Sequence, residues 1–279
     1  MRPVFKNNTL SQQFAEQGFV VIKDALDLSV LDGIEEFYTK LHIETSQQFL
    51  LSNLLGDLAV RKKIHEHLGR TLNEVLGEWL LNFKYVLGTL AIKPPTKDSS
   101  FAVHQDWSLV DESRYISLSA WMPLSDVDEQ NGCVRILKDS CQIFGQPRGM
   151  NIPFPYSAYS DNISQEFMTA VPIRKGDMLV FDHRLVHDSG PNFSKLTRVA
   201  AVMAFIPNEA ELCHYYKVKD KDTIDFYRLP EGFLIDNDFF DYSHAPEAPI
   251  MRNMKYVDPG IDFKKFKDLY EARFSRPVA

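Results

Sequence analysis

Up to about residue 78, apolar positions recur mostly three and four apart, the spacing of helices with one buried face. Thr9-Leu10-Ser11-Gln12 has the form of a capping box, and Gly18 is placed to end a first helix. Phe19-Val20-Val21-Ile22 reads as a short buried strand. A second helix starts near Ser29, with Leu31, Ile34, Phe37 and Leu41 on its buried face. A third, charged on one side, covers Asp57 to Leu68.

From Leu80 the period changes. Phe83 to Ile92 reads as a long strand closed by Pro94-Pro95. Tyr115 to Met122 alternates, with Ile116, Leu118, Ala120 and Met122 on one face and Ser117, Ser119 and Trp121 on the other. Asn131-Gly132 marks a turn before a strand over Cys133 to Leu137. Gly145 to Pro172 reads as loop and short helix. Lys175-Gly176-Asp177 turns into a strand at Met178 to Phe181, and Arg198 to Ile206 is the last strand assigned. The segment after Asp220, aromatic and acidic, has no assignment. Helices first, then many short strands, predict a mainly β fold: a sandwich or jelly roll with flanking helices.

A chain of 279 residues suits one large domain or two small ones. It is read as a single domain over 1–279: a helical N-terminal part to about 78, a jelly-roll core over about 79–210 and a C-terminal extension over about 211–279. With 44% hydrophobic and 25% charged residues, it has the composition of a globular protein able to bury its own core. The net charge of −7 argues against a nucleic-acid partner. No apolar run approaches the ~18 residues of a membrane span, and the first residues lack the apolar core of a secretion signal. Three scattered cysteines, Cys133, Cys141 and Cys213, fit reduced thiols in a cytoplasmic protein. Oligomeric state stays open.

The informative local motif is His104-Gln105-Asp106. In an extended segment, residues two apart project from one face, so imidazole and carboxylate can reach one metal ion together. His187, just after a predicted strand, supplies a second imidazole. Two histidines and one carboxylate leave open positions on an octahedral ion, the facial triad of non-haem Fe(II) oxygenases. The open positions suit a bidentate 2-oxo acid such as 2-oxoglutarate, and O2. Arg198, on the next strand, is the cation for the far carboxylate of that cosubstrate, and Ser189 can add a hydroxyl. His183 competes with His187 as the second imidazole. His65 and His67 read as solvated on a charged helix; Lys93, Lys138 and Arg148 could meet an acidic substrate but read better as surface charge. His42, His214 and His244 have no partner that the sequence names.

These residues resemble the phytanoyl-CoA dioxygenase family of Fe(II)/2-oxoglutarate oxygenases. The matching stretches are Gln17-Gly18-Phe19-Val20-Val21, Lys93-Pro94-Pro95, His104-Gln105-Asp106-Trp107, Ala120-Trp121, Asn131-Gly132-Cys133 and Lys175-Gly176-Asp177. They end with His187-Asp188-Ser189-Gly190-Pro191-Asn192 and Arg198. The resemblance covers about Phe14 to Phe205. It implies a double-stranded β-helix core and conversion of 2-oxoglutarate to succinate and CO2. It also implies that Trp121 and Thr89 line the cosubstrate pocket beside Ser189 and Arg198. Asp106 argues for hydroxylation, or another oxidation, over halogenation, because the related halogenases carry Gly or Ala there. Leu137-Lys138-Asp139-Ser140 departs from the family's Pro-Gly-Ser-His stretch, so the family's substrates do not transfer. With loops rich in aromatic residues (Phe154, Tyr156, Tyr159, Phe226 and Tyr227), the expected substrate is a free small metabolite or natural-product intermediate. Two rivals remain: a non-redox metal protein of cupin type, and a module that binds 2-oxoglutarate without turnover.

Overall fold

The structure is a computed structural model that describes residues 2–149, 151–237, 244–258 and 260–274. Helix α1 (Asn8–Gln17) is capped by Asn7, whose side chain accepts from the backbone N–H groups of Thr9 and Leu10. The cap therefore lies ahead of Thr9. Ser11 exchanges hydrogen bonds with the Phe5 backbone instead of closing a capping box. Gly18, at φ 78°, ends the helix in the left-handed region that glycine enters without strain. Helix α2 (Leu28–Leu41) is capped by Asp27, and α3 (Leu58–Trp79) by Asp57.

Helix α3 runs well past Leu68. Gly69 reads as a break, yet its bare Cα lets the Tyr85 ring approach the helix; a Cβ there would lie 2.9 Å from that ring. Close packing, rather than chain termination, explains this glycine. Leu72 and Leu76, beyond it, are fully buried.

Among the described residues, thirteen strands follow the chain: β1 (Phe19–Ile22), β2 (Leu50–Leu51), β3 (Phe83–Lys93), β4 (Phe101–His104), β5 (Leu118–Pro123), β6 (Val134–Ile136), β7 (Thr169–Ala170), β8 (Met178–Asp182), β9 (His187–Ser189), β10 (Arg198–Pro207), β11 (Cys213–Lys217), β12 (Thr223–Arg228) and β13 (Ile250–Lys255). Strands β1-β8-β5-β10-β3-β2 form an antiparallel six-stranded sheet, and β4-β9-β6-β7 form a four-stranded one.

Period-two alternation sorts the larger sheet's side chains. Leu90, Ile92, Ala120, Met122, Val180 and Met203 face the layer of α1, α2 and α3. Ala91, Trp121, Leu179, Phe181 and Ala200 point the other way and pack on Val134 and Ile136 of the smaller sheet. Two sheets closed on one another in this way, with helices on one outer face, make the jelly roll. Strand β5 starts at Leu118 rather than Tyr115. Its polar face, Ser119 and Trp121, is buried as deeply as its apolar face because it looks into the space between the sheets.

Beyond the core, β11-β12-β13 form a third sheet, and two helices follow, α5 (Phe233–Asp236) and α6 (Phe263–Phe274). They are numbered after α4 (Ser160–Glu166), which together with β7 breaks the 145–172 loop. Phe226 and Tyr227 lie on β12 and are buried, so they are core residues and not loop aromatics. Tyr156 is likewise fully buried, packed on Phe144 and on Phe266 of α6. Among the described residues, no helix is long and apolar enough to cross a membrane.

Leu72 sits at the centre of the helix–sheet layer. Replacing Leu72 with Ala removes buried methyl groups and leaves a cavity, at a cost of about 2–5 kcal/mol. Urea unfolding should show a lower midpoint with an unchanged slope.

Candidate active site

Strand β4 pairs antiparallel with β9 so that the Cα of His104 stands opposite that of His187. Asp106 follows just beyond the end of β4. The three side chains each bring one ligand atom into a group whose members all lie within 4.8 Å of one another, a set that could hold a metal ion. Asp106 Oδ1 is 3.8 Å from His104 Nε2 and 3.9 Å from His187 Nε2. No two of these three atoms are within hydrogen-bond distance, which is the spacing expected of groups meant to share a cation rather than each other.

Both imidazoles are oriented by the same local device. His104 Nδ1 lies 2.8 Å from the Ala102 carbonyl oxygen, and His187 Nδ1 lies 2.9 Å from that of Leu185. A carbonyl only accepts, so each ring carries its proton on Nδ1 and turns the Nε2 lone pair inward. Burial, with the neighbouring His187 next, pushes the His104 imidazole down to about 3, so it is neutral and able to bind a metal at ordinary pH.

The other oxygen of Asp106 is held from behind. Ser119 Oγ donates to Asp106 Oδ2 over 3.2 Å and lies 3.0 Å from His183 Nε2. His183 Nε2 is itself 3.8 Å from Oδ2. His183 therefore sits behind the carboxylate, and His187 joins the ligand group. Burial works against the Asp106 carboxylate, but His187, His183, His104 and the Ser119 hydroxyl together hold its carboxyl below the ordinary range. The backbone carbonyl of Asp106 accepts from Arg148 Nε at 2.7 Å, and Arg148 in turn pairs with Glu112 at 3.0 Å. Arg148 is thus a buried strut under the ligand loop, not surface charge.

A cavity of about 670 Å³ opens over the trio and reaches Thr89, Trp121, Ser189 and Arg198. Arg198 is 3% exposed. Its guanidinium donates to the Gly132 carbonyl at 3.0 Å and stands 5.4 Å from the Trp121 ring centroid. Its Nε has no hydrogen-bond partner, and no carboxylate pairs with it among the described residues. Burial pushes it down to about 10, which still leaves it charged. The Ser189 hydroxyl accepts from Lys93 Nζ at 2.9 Å. The Thr89 hydroxyl donates to Asn53, so it builds the wall without a free proton.

Lys93 is fully buried, also donating to the carbonyls of Ser99 and Gly190. Burial, and then Arg198, pushes its ammonium down to about 6. Its neighbours in sequence are apolar Ile92 and Pro94, and that context is the one signal in the chain that it does not face solvent.

The remaining histidines lie apart from the trio. His65 accepts from the Gly88 N–H and meets the Tyr85 hydroxyl, while His67 stacks on Phe37, so neither is simply solvated. His42 caps α2, His214 is buried on β11, and Lys138 is exposed. Of the loop aromatics, Phe154 lines the cavity.

No curated protein matches the chain. Solved structures do. The iron-bound HygX from Streptomyces hygroscopicus superposes with a TM-score of 0.54 at 16% identity, over 73% of this chain and 87% of that one. The non-haem α-ketoglutarate-dependent carbocyclase SnoK from nogalamycin biosynthesis gives 0.53 at 19%, over 74% and 86%. EvdO2 from Micromonospora carbonacea var. aurantiaca, complexed with 2-oxoglutarate, gives 0.50 at 19%, over 74% and 94%. At these identities the likeness is one of fold. The phytanoyl-CoA dioxygenase (PhyH) model matches residues 14–200, a span from α1 into β10 that holds the trio, Ser189 and Arg198, and the chain belongs to that family.

Proposed function

We propose that this chain is an Fe(II)- and 2-oxoglutarate-dependent oxygenase that hydroxylates an unactivated C–H bond of a small metabolite or natural-product intermediate, releasing succinate and CO2. One observation carries the reading. A buried guanidinium without a carboxylate partner shares a cavity with two inward-facing imidazoles and a carboxylate. A buried charge left unpaired is costly, so its retention points to an anion that arrives from outside the chain. Membership of the family, and relatives of the same fold described with iron and with 2-oxoglutarate, support the same assignment.

The donor set fits iron: two neutral imidazoles and one carboxylate, with room left for further ligands. His104, Asp106 and His187 would hold it. Bound there with 2-oxoglutarate, iron supplies the oxidising chemistry, in which O2 is reduced and the 2-oxo acid loses CO2. The chain's own part is binding and exclusion. Arg198 meets the far carboxylate of the 2-oxo acid with two parallel donors, and the Ser189 hydroxyl adds a third. Trp121 closes one side of that pocket against the guanidinium face, and Thr89 forms part of its wall. Ser119 and His183 keep Asp106 from rotating, so that Oδ1 stays turned to the metal.

Asp106→Ala should lose more metal affinity than the ~10–100-fold typical of removing a group behind a ligand. Calorimetric Co(II) titration and O2-dependent succinate release both measure it, and an unchanged Co(II) affinity would remove Asp106 from the ligand set. Arg198→Ala should raise the 2-oxoglutarate requirement on the order of a hundredfold, because it strands a buried carboxylate. Co(II) affinity should stay as it was. An unchanged 2-oxoglutarate requirement would take Arg198 out of the pocket. Succinate formation with Fe(II) also separates this reading from a non-redox metal protein and from an inert binding module.

A further inference from the structure

The charges on the cavity wall define what the substrate half can accept. Five side chains with formal charge line the cavity: Asp98, Asp106, Arg148, Asp188 and Arg198. Asp106 belongs to the ligand trio. Arg148 is locked to Glu112, to the Gln146 carbonyl and to the Asp106 carbonyl through all three of its nitrogens. Asp188 is held by Arg135 at 2.6 and 2.8 Å and by the Ser164 hydroxyl at 2.8 Å. Arg198 is the anchor for the 2-oxo acid. That leaves Asp98, an exposed carboxylate at the rim, which repels anions. No lysine lines the cavity among the described residues.

Of the neutral polar side chains, Gln48 and Ser100 are exposed, while those deeper in are largely engaged. Gln105 donates to the Phe144 carbonyl and to that of Arg184, and accepts from the Tyr156 hydroxyl. Asn53 is bound to Thr89. The deeper surface that remains open to a ligand is mainly apolar: Leu87, Leu109, Phe154, Val202, Ala204 and Leu234.

This wall is also preformed. Gly149 packs so closely on the Tyr215 carbonyl that a Cβ would collide with it. Asn151 and Lys217 exchange hydrogen bonds of 2.7 and 2.8 Å between the 145–155 loop and β11.

We infer that the molecule oxidised here is an uncharged, largely apolar compound carried free, not a coenzyme A thioester, a phosphorylated metabolite or an amino acid. The inference rests on the oxygenase reading above and names its substrate class. Phosphate and carboxylate groups are held by arginine or lysine donors, and the one such donor left in this cavity is taken by the cosubstrate. Burying an anion on the apolar wall would cost several kcal/mol without a compensating partner. An apolar frame instead gains from every face it removes from water.

The test uses the full chain loaded with redox-inert Ni(II) and saturating 2-oxoglutarate, so that Arg198 is occupied. Two fluorescent probes share one ring frame: uncharged N-phenyl-1-naphthylamine, and 8-anilinonaphthalene-1-sulfonate, which adds an anion. The uncharged probe should bind saturably and at least about tenfold more tightly than the sulfonate. 1-Decanol should displace it at concentrations where decanoyl-CoA does not. Leu87→Asp should weaken the uncharged probe by about tenfold, with the thermal midpoint measured alongside. Leu234→Asp provides a second position should the first variant unfold.

Equal or tighter binding of the sulfonate would overturn the inference. So would displacement by the CoA thioester at least as good as by the alcohol, or indifference of the uncharged probe to both variants. Calorimetry of 2-oxoglutarate binding to the Ni(II) protein runs in parallel. Its failure would bring down the oxygenase reading and this inference together, whereas a preference for the anion with that binding intact would bring down the substrate class alone.

Discussion

Strands β4 and β9 pair with His104 opposite His187, and every feature of the site depends on that register. Side chains alternate between faces, so a slip of one residue would turn an imidazole away from the cavity and into the neighbouring layer. The pairing is irregular between Phe101 and His104, where the ladder shifts. Such a shift re-aims the side chain that follows it. Here it stands immediately before the first imidazole, and Asp106 follows in the segment leaving the strand. The core between the two sheets, Trp121, Ile136, Leu179 and Phe181 among others, keeps the small sheet from sliding.

Around that register the molecule carries an electrostatic imbalance. Arg198 and Lys93 lie buried near each other, and each is pushed down by burial and lacks a carboxylate of its own. Carbonyl oxygens and one hydroxyl take up the Lys93 donors and part of those of Arg198, whose Nε stays without a partner. Close by, Asp188 takes the opposite course and is neutralised by Arg135. The chain thus cancels one charge at the site and leaves another uncancelled. The uncancelled one lines the same cavity as His104, Asp106 and His187.

Much of this can be read along the chain. His104 and Asp106 are two apart in an extended segment, and the period-two rule alone puts them on one face. The turns at Gly18, Gly132 and Gly176 are legible because each needs a positive φ. The misread features depend on partners distant in sequence. Lys93 and Arg148 look like surface charges until the carbonyls and the carboxylate that receive them are in place. Gly69 looks like a helix end because the ring of Tyr85, which fills the space, comes from another element. Ser119 and Trp121 share one face of β5, but how deeply that face is buried is hidden because the second sheet is invisible from β5 itself. Thr9 lost the capping role to Asn7, a choice between neighbouring side chains that local propensity does not resolve. The segment after Asp220 lacks a clear period because its aromatics pack on several elements at once.

Leu234, on α5, forms part of the chamber's apolar wall, and β11 clasps the loop that forms another part. Both lie past residue 200, where the match to the family ends. The cavity wall therefore draws on two stretches of one polypeptide, Leu87, Leu109 and Phe154 from within the matched span and Val202, Ala204 and Leu234 from beyond it. Descendants of this scaffold can vary the trailing part of that wall with no alteration to His104, Asp106, His187 or Arg198. Inheritance of the reaction and inheritance of the preference are separable in such a chain, and a shared core says little about a shared diet.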